Sequence, residues 1–582
     1  MRVWLRTERM TGLGITPGDI ISAIQGQNVQ AAVGSIGARP ISDDQQLQFS
    51  IQTKGRLVSA REFENIVLRT EADGAVLRLG DVARVELGAA SLDLETRLNG
   101  KPGQLLGIYQ APGTNALNTI DAVRANMAEL ARDFPADLAW KITYDPTTFV
   151  RATITEVKHT LVEAFILVVL VVFLFLGSWR AALIPTIAVP VSLIGTFIVL
   201  HALGYSANTI SLLAMVLAIG IVVDDAIVVV ENVEKVMEEH PELDIAQATV
   251  QAMGQITAPI VATTLVLLAV FVPVAFIPGI SGELFRQFAV TVAVAMVISS
   301  INALTLSPAL CPILLRRRAS QPRGPLGMVL RGIDRVRDLY GALVARLVRI
   351  AAIGLVMVGV AVLGTGALSR VTPRGFLPSD DQGGFFVIAQ LPEAASIGHT
   401  VEVVRQIEDI LAREPVISDY SSILGLNFID NFAQANAAFI AVSLKPFAER
   451  TGPGQRADQV IARLNPELRQ VRGGISVAIA PPPIVGLGST GGFTYMLKDM
   501  TGSDPKALAQ VLRGLVVAAN QDPSLSGVYS TYSATTPSIY LDIDRDKVQV
   551  LGIRLTDVFQ ALQTTLGGSY VNDMNLFGRT WQ

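Results

Sequence analysis

Two adjacent carboxylates, Asp224 and Asp225, stand inside an apolar run, 209–230, that is long enough to cross a bilayer. An aspartate at the centre of a membrane helix costs roughly 2.5 to 3.5 kcal/mol on insertion scales. The pair must therefore face a packed or watery interior. A carboxylate there is easier to bury protonated than charged, and its charge changes as water reaches or leaves it, which is what a proton relay requires. Adjacent carboxylates titrate as a coupled pair, so the sequence assigns the relayed proton to neither one alone. Gly220 lies four residues before Asp224 on the same helical face, where it would let a partner helix approach closely; otherwise it is ordinary membrane-helix glycine. A soluble helix capped by the aspartates is the poorer reading, because Ala226, Ile227, Val228, Val229 and Val230 continue the apolar run beyond them.

The scaffold that must hold this pair is membranous. Half of the residues are hydrophobic, 16% are charged and the mean hydropathy is +0.46, whereas soluble domains carry about 25% charged residues. A net charge of -4 predicts no nucleic-acid partner. The single cysteine, Cys311, excludes an intrachain disulfide and a cysteine metal cluster. His159, His201, His240 and His399 are scattered, and neither a nucleophile motif nor a nucleotide-binding loop is present, so the chain is not read as an enzyme and no cofactor is expected. The opening residues hold no apolar signal core. Either the first span serves as the signal or the natural N-terminus is absent.

Six spans of about 20 apolar residues are predicted, at 160–176, 181–203, 209–230, 256–278, 288–315 and 347–368. Pro185, Pro190, Pro259, Pro273 and Pro308 fall within them and are tolerable in lipid, where neighbouring helices satisfy the freed carbonyls. An even number of spans puts the polar segments 1–155 and 370–582 on one side of the membrane. The loop 316–346 carries Arg316, Arg317, Arg318, Arg323, Arg331, Arg335 and Arg337 and is cytoplasmic by the positive-inside rule. Both large segments therefore lie outside the cytoplasm. Within the loop, Arg331, Asp334, Arg335 and Asp338 alternate with Leu330, Ile333, Val336 and Leu339 at helical spacing, as in an amphipathic helix on the inner surface or a solvated lead-in to the last span.

The polar segments mix strand-like stretches, 40–52 and 76–79 through 85–87, with amphipathic helices at 116–131 and 399–411. Small α+β subdomains with helices on one sheet face are expected. Leu13-Gly14-Ile15-Thr16-Pro17-Gly18-Asp19-Ile20 resembles Leu551-Gly552-Ile553-Arg554-Leu555-Thr556-Asp557-Val558, and Ala23-Ile24-Gln25 resembles Ala561-Leu562-Gln563 at the same offset. A repeat of about 540 residues is far longer than a solenoid unit and fits a duplicated transporter. The chain is then expected to be a fragment spanning one period, half of a duplicated 12-span protein, with a second six-span set beyond Gln582.

The sequence resembles the resistance-nodulation-division transporters, and within them the hydrophobe/amphiphile multidrug efflux branch of the Gram-negative inner membrane. The resemblance rests on Gly220-Ile221-Val222-Val223-Asp224-Asp225-Ala226-Ile227-Val228-Val229-Val230-Glu231-Asn232-Val233-Glu234, on Leu183-Ile184-Pro185-Thr186-Ile187-Ala188-Val189-Pro190, on Phe376-Leu377-Pro378-Ser379-Asp380-Asp381-Gln382-Gly383, and on Gly567-Gly568-Ser569-Tyr570-Val571-Asn572-Asp573. It implies a polytopic α-helical membrane protein with periplasmic α+β porter and docking subdomains: docking 1–90, part of a porter 91–155, five spans 156–315, the cytoplasmic loop 316–346, the sixth span 347–368 and further porter subdomains 369–582. It implies a homotrimer driven by proton influx, joined to a periplasmic adaptor and an outer-membrane channel, embedded in membrane lipids and exporting amphiphilic small molecules. Asp224 and Asp225 would accept the protons beside a lysine from a span not in this chain, so the chain alone should not transport. Tyr144, Phe428 and Phe439 fall at positions of an aromatic substrate pocket, and 425–432, beginning Gly425, Leu426, Asn427, Phe428, matches its mobile switch loop. The loop has fewer glycines than the usual pattern, and Ser421 and Leu426 stand where aromatics are common.

Two rivals share the helical core. Metal exporters of the superfamily replace the second aspartate and cluster methionines, whereas Asp225 is present here and Met496, Met500 and Met574 form no clear cluster. The other rival is a lipid- or sterol-related protein with the same core that does not pump, such as a sterol-sensing receptor, or a protein-translocation accessory. Large soluble segments on both sides of the spans and the repeat between them favour the pump.

Overall fold

The computed structural model describes residues 1–40, 46–89, 91–317, 325–349, 351–372, 380–482, 484, 492–502, 504–525 and 527–582. Eight helices follow one another in its central part: α1 (Thr147–Leu176), α2 (Trp179–Ala202), α3 (Thr209–Glu239), α4 (Ile245–Val274), α5 (Gly279–Leu304), α6 (Leu306–Leu314), α7 (Pro325–Arg349) and α8 (Ala351–Val371). All but α6 and α7 have the length and apolarity to cross a membrane, six among the described residues. Side chains close the backbone at the starts of two of them. Asn208 Oδ1 accepts the Ile210 and Ser211 amides at the start of α3, both at 3.0 Å, and the Asp244 amide donates to Gln247 Oε1 at the start of α4.

Several helices outrun the apolar zone that announces them. The α1 helix starts at Thr147 instead of 160, through a turn bearing Arg151, Glu156 and Lys158, and α3 runs on to Glu239. Nothing in these polar extensions breaks a helix. The fifth expected span, 288–315, is divided: α5 ends at Leu304, Thr305 takes φ -123 and ψ -63, and α6 follows. Pro308 explains the break, since its ring would clash with the carbonyl four residues earlier, at Leu304. Pro185, Pro190, Pro259 and Pro273 lie inside continuous helices, as expected.

The helical set packs around α3, whose Ala218, Ile219, Val222, Val229, Val230 and Val233 are buried against Ala181, Ile184 and Val189 of α2 and Ala295 of α5. The basic loop is helical, as its spacing predicts, with Val336, Leu339, Tyr340 and Leu343 exposed on α7. Arg318 and Arg323 of that loop lie outside the described residues, as do 376–379 of the motif before the second polar segment and 41–45 of the strand-like stretch 40–52. Of that stretch, Phe49–Ser50 pairs with Ser35–Ile36.

The second polar segment forms a six-stranded antiparallel sheet that also takes two strands from the first: β1 (Glu95–Leu98), β2 (Lys101–Pro102), β3 (Gly384–Gln390), β4 (Ile417–Asn427), β5 (Phe432–Leu444) and β6 (Ile475–Ile479). The order across the sheet is β6-β3-β5-β4-β1-β2. With α9 (Ile397–Arg413) and α10 (Ala457–Leu468), strands β3 to β6 make a βαββαβ unit of ferredoxin-like type. Strand alternation sorts its faces. Phe385, Val387 and Ala389 of β3 and Ile440 and Val442 of β5 point to the helices and are buried against Val403, Ile407, Leu411, Val460 and Leu464. Full burial of each such large side chain contributes about 1.5–3 kcal/mol.

The ends of the chain share a third core. Met10, Ile20, Ile24, Phe63, Leu79 and Val82 pack with Met574, and the Asn28 side chain donates to the Asp573 carbonyl at 2.8 Å while Asn572 donates to the Asn28 carbonyl at 3.0 Å. Both copies of the sequence repeat take one local form. The helix Thr7–Leu13 turns at Gly14 (φ +64) into Pro17–Gln27, and Arg545–Val550 turns at Gly552 (φ +70) into Leu555–Leu562. The second helices of the two copies pack on each other. The stretch 76–87 is not continuous strand: the Arg78 amide donates to Asp81 Oδ2 at 2.8 Å and closes a helical turn, Leu79–Val82, between the strands Val76–Arg78 and Ala83–Glu86.

Candidate functional site

Helix α3 carries the aspartates in the middle of its 31 residues. Neighbours on an α-helix point about 100° apart, so the two carboxylates cannot share one environment. Asp225 is half-buried and turns toward α5, where the Ser299 hydroxyl lies 3.0 Å from its Oδ2. That same hydroxyl is 3.1 Å from the Val222 carbonyl. Having one hydrogen, it serves only one of these acceptors at a time. A charged Asp225 draws the hydrogen to itself; a protonated Asp225 can donate to Ser299 and leave its hydrogen for Val222. The sequence reading missed Ser299, although a run of small polar residues in an apolar span, Ser299-Ser300-Ile301-Asn302, marks the face.

Asp224, expected like its neighbour to face a packed or watery interior, is not covered by the described residues of this chain. It is exposed, and it continues a stripe on α3 made of Leu213, Leu217, Gly220, Asp224, Val228 and Glu231, all exposed at helical spacing. A β-carbon added at Gly220 would meet nothing within 4 Å. The close helix approach expected at Gly220 is therefore not made by any described residue of this chain.

A second site lies on the face of the sheet opposite α9 and α10. Tyr144, just before α1, sits 5.7 Å from the Phe386 ring of β3; Phe386 in turn lies 5.4 Å from Phe428 and 5.1 Å from Phe439, and Phe428 stacks on Phe439 at 3.9 Å with the planes 14° apart. The three residues expected to form an aromatic pocket are thus brought together, around a fourth that the sequence did not single out. In Phe385-Phe386 the two rings point to opposite faces, and periodicity alone cannot say which faces the core. Burial raises the Tyr144 phenol above its ordinary value, so it stays a neutral hydrogen-bond donor. On the same face, the buried Ser421 hydroxyl, in register with Ala441, has no hydrogen-bond partner among the described residues.

The expected switch loop, 425–432, is the tip of the β4–β5 hairpin. Gly425 has φ +82, and a β-carbon there would fall 1.7 Å from the Asp93 carbonyl oxygen, so only glycine fits. Leu426 pairs with Ala433 after a register shift. The turn is closed by Asn427, whose Oδ1 accepts the Ile429 and Asp430 amides at 3.1 and 3.2 Å and whose Nδ2 donates to Asp430 and Gln434 at 3.0 Å. Phe428 rides on this turn, and its ring reaches back over the sheet.

The sequence model of the AcrB/AcrD/AcrF family matches residues 1–582. Among curated proteins, the chain is 41% identical to the multidrug export protein AcrF of Escherichia coli strain K12 over all of its own length and 56% of that relative's. It is 38% identical to the multidrug resistance protein MdtF of the same strain, again over its whole length and 56% of the relative. It is 37% identical to the multidrug/solvent efflux pump membrane transporter MepB of Pseudomonas putida, covering 55% of that protein. The chain spans about half the length of the curated relatives it matches. With six membrane-length helices and a family match from end to end, this polytopic helical membrane protein belongs to the AcrB/AcrD/AcrF family.

Proposed function

We propose that this chain is part of an inner-membrane pump that exports amphiphilic compounds at the expense of proton influx. The observation that carries the reading is the contact between Asp225 and Ser299, a titratable group of one membrane-length helix held by a two-position donor of another. Protonation of Asp225 changes which acceptor Ser299 serves and so changes how α3 and α5 hold each other. Each proton crossing the membrane supplies about 2.3 kcal/mol per 100 mV. Asp224, with Gly220 on the same open stripe, would meet a further helix bearing a cation, which the family resemblance supplies as a lysine. The cluster of Tyr144, Phe386, Phe428 and Phe439 would bind substrates by apolar area and ring stacking.

In this reading the two polar segments are periplasmic, α7 lies on the cytoplasmic surface, and the assembled protein is a homotrimer working with a periplasmic adaptor and an outer-membrane channel. The relatives named for multidrug and solvent efflux support the substrate class. The test is ethidium efflux from pump-deficient Gram-negative cells that express the complete pump with its adaptor and channel, comparing wild type with Asp224→Asn and Asp225→Asn at matched expression. Export by wild type and its loss in both variants is expected. Variants that export as well as wild type would sink the relay, and a silent wild type would move a metal, lipid or signalling role forward.

A further inference from the structure

Helix α5 presents Ser299 to Asp225 only while it keeps one rotation about its axis. Its other side shows what sets that rotation. Ile298 and Asn302, one turn apart, face α2: a β-carbon at Gly195 of α2 would come within 3.2 Å of the Ile298 side chain, and the Asn302 Nδ2 donates to the Ser192 Oγ at 2.8 Å. Ser192 is 0% and Asn302 8% exposed, so this amide-to-hydroxyl bond is made inside the helical set, among apolar neighbours. The Ser192 carbonyl in turn accepts the Thr196 hydroxyl at 2.7 Å. Ser299 follows Ile298 by one residue, about 100° around the helix. The seam against α2 and the contact with α3 are thus two sides of the same turn of α5.

We infer that Asn302 and Ser192 are a positioning pair for energy coupling: their hydrogen bond, beside the Gly195–Ile298 seat, fixes α5 on α2 so that the Ser299 hydroxyl stays within reach of both Asp225 and Val222. This rests on the proton-relay reading above. An amide in hydrocarbon is costly unless partnered, and a Val–Val seam would hold two helices together without that cost. Apolar packing resists rotation weakly, because neighbouring rotations bury similar area. A directed bond adds one preferred geometry to that packing. Neither side chain touches the proton or the substrate, so both act through Ser299.

The test uses the complete pump with its adaptor and channel, measuring initial ethidium efflux across substrate concentrations at matched membrane abundance. The variants are Asn302→Val, Ser192→Val, the double valine variant, and the swapped pair Ser192→Asn with Asn302→Ser, with Asp225→Asn as control. Each valine variant should lower the maximal rate by roughly three- to thirtyfold at unchanged half-saturation. The double variant should be no worse than either single, and the swapped pair should recover most of the rate. A helix-association role alone would lower abundance and leave the rate per molecule intact. Single variants that pump like wild type while Asp225→Asn is silent would overturn the inference and leave the relay standing. So would additive losses that the swap does not recover, or loss of the protein from the membrane that the swap does not repair. An Asp225→Asn pump that works normally would overturn the relay itself, and the inference with it.

Discussion

The sheet unit and the helical set both place carboxylates beside apolar packing, and they treat them in opposite ways. In the sheet unit, Asp381 is nearly enclosed, its side chain 12% exposed. It takes the Arg450 guanidinium through both oxygens, one at 2.9 Å, and accepts the Ala457 and Gly383 amides at 2.9 Å, while Arg450 lies over the Phe447 ring and also donates to the Lys445 and Gln455 carbonyls. In the helical set, Asp225 has one shared hydroxyl and Asp224 an open stripe. A fully satisfied charge is locked, because any change in its protonation breaks several bonds at once. A charge with one partner that has somewhere else to turn is free to change. The first arrangement builds a scaffold, and the second is what a relay needs.

Breaking the closed site should cost the most. Arg450→Ala leaves Asp381 buried without its counter-ion, which destabilises by about 3–5 kcal/mol. Thermal unfolding of the purified chain in detergent, with hydrogen exchange to localise the loss, should show the sheet unit opening well before the helices. If exchange in β3 and α10 stays as in wild type, the network is not structural. Next comes Phe386→Ala. This ring is 6% exposed and touches Tyr144, Phe428 and Phe439, so its removal should cost about 3 kcal/mol or somewhat more. Phe428→Ala, at a half-buried ring on the turn, should cost less than half of that in the same melt while weakening substrate binding. Equal costs would mean that Phe428 is core and not pocket.

Acid should separate the two regions as well. Burial pushes the Asp381 carboxyl up, and the Arg450 guanidinium with the Ala457 and Gly383 amides outweighs it, holding the group below the usual carboxylate range. Asp419 is treated alike, with Lys141, Asn99 and Ser418 outweighing burial. A group whose folded pKa lies below its unfolded one gives stability that is present above the unfolded value and lost as pH falls through the folded one. The sheet unit should therefore keep its melting temperature at pH 5 and lose it below about pH 4. In Arg450→Ala the Asp381 share of that slope should vanish. An unchanged acid slope in the variant would show that other carboxylates carry it.

The membrane-length helices were legible because twenty apolar residues have few other uses, and the aspartates because their cost in lipid is so large. What escaped the sequence was direction. Two consecutive aspartates look like one site in a string of letters, yet the helix turns one inward and the other out. Two consecutive phenylalanines in β3 look alike, yet Phe385 fills the core under the helices and Phe386 anchors the aromatic face. Ser299 and Asn302 show no sign of their partners until α3 and α2 are set beside them. The division at Thr305 was legible in principle, since Pro308 forbids the preceding turn, and was passed over because prolines inside α2 and α4 are absorbed without a break.

The smallest expected effect is at Asp224. Its side chain is exposed and the face around it is open, and Asp224→Asn breaks no hydrogen bond or ion pair among the described residues. Its thermal stability in detergent should stay within about 0.5 kcal/mol of wild type, as for a surface change. Asp225→Asn keeps the shape and still accepts from Ser299, so it too should melt close to wild type. Both variants are nonetheless the ones expected to silence the assembled pump. A residue whose replacement leaves the fold alone and stops the work is placed there for the work. If Asp224→Asn instead lowers the melting temperature by as much as Phe386→Ala, the carboxylate is structural, and the open stripe on α3 has to be read as a packing surface.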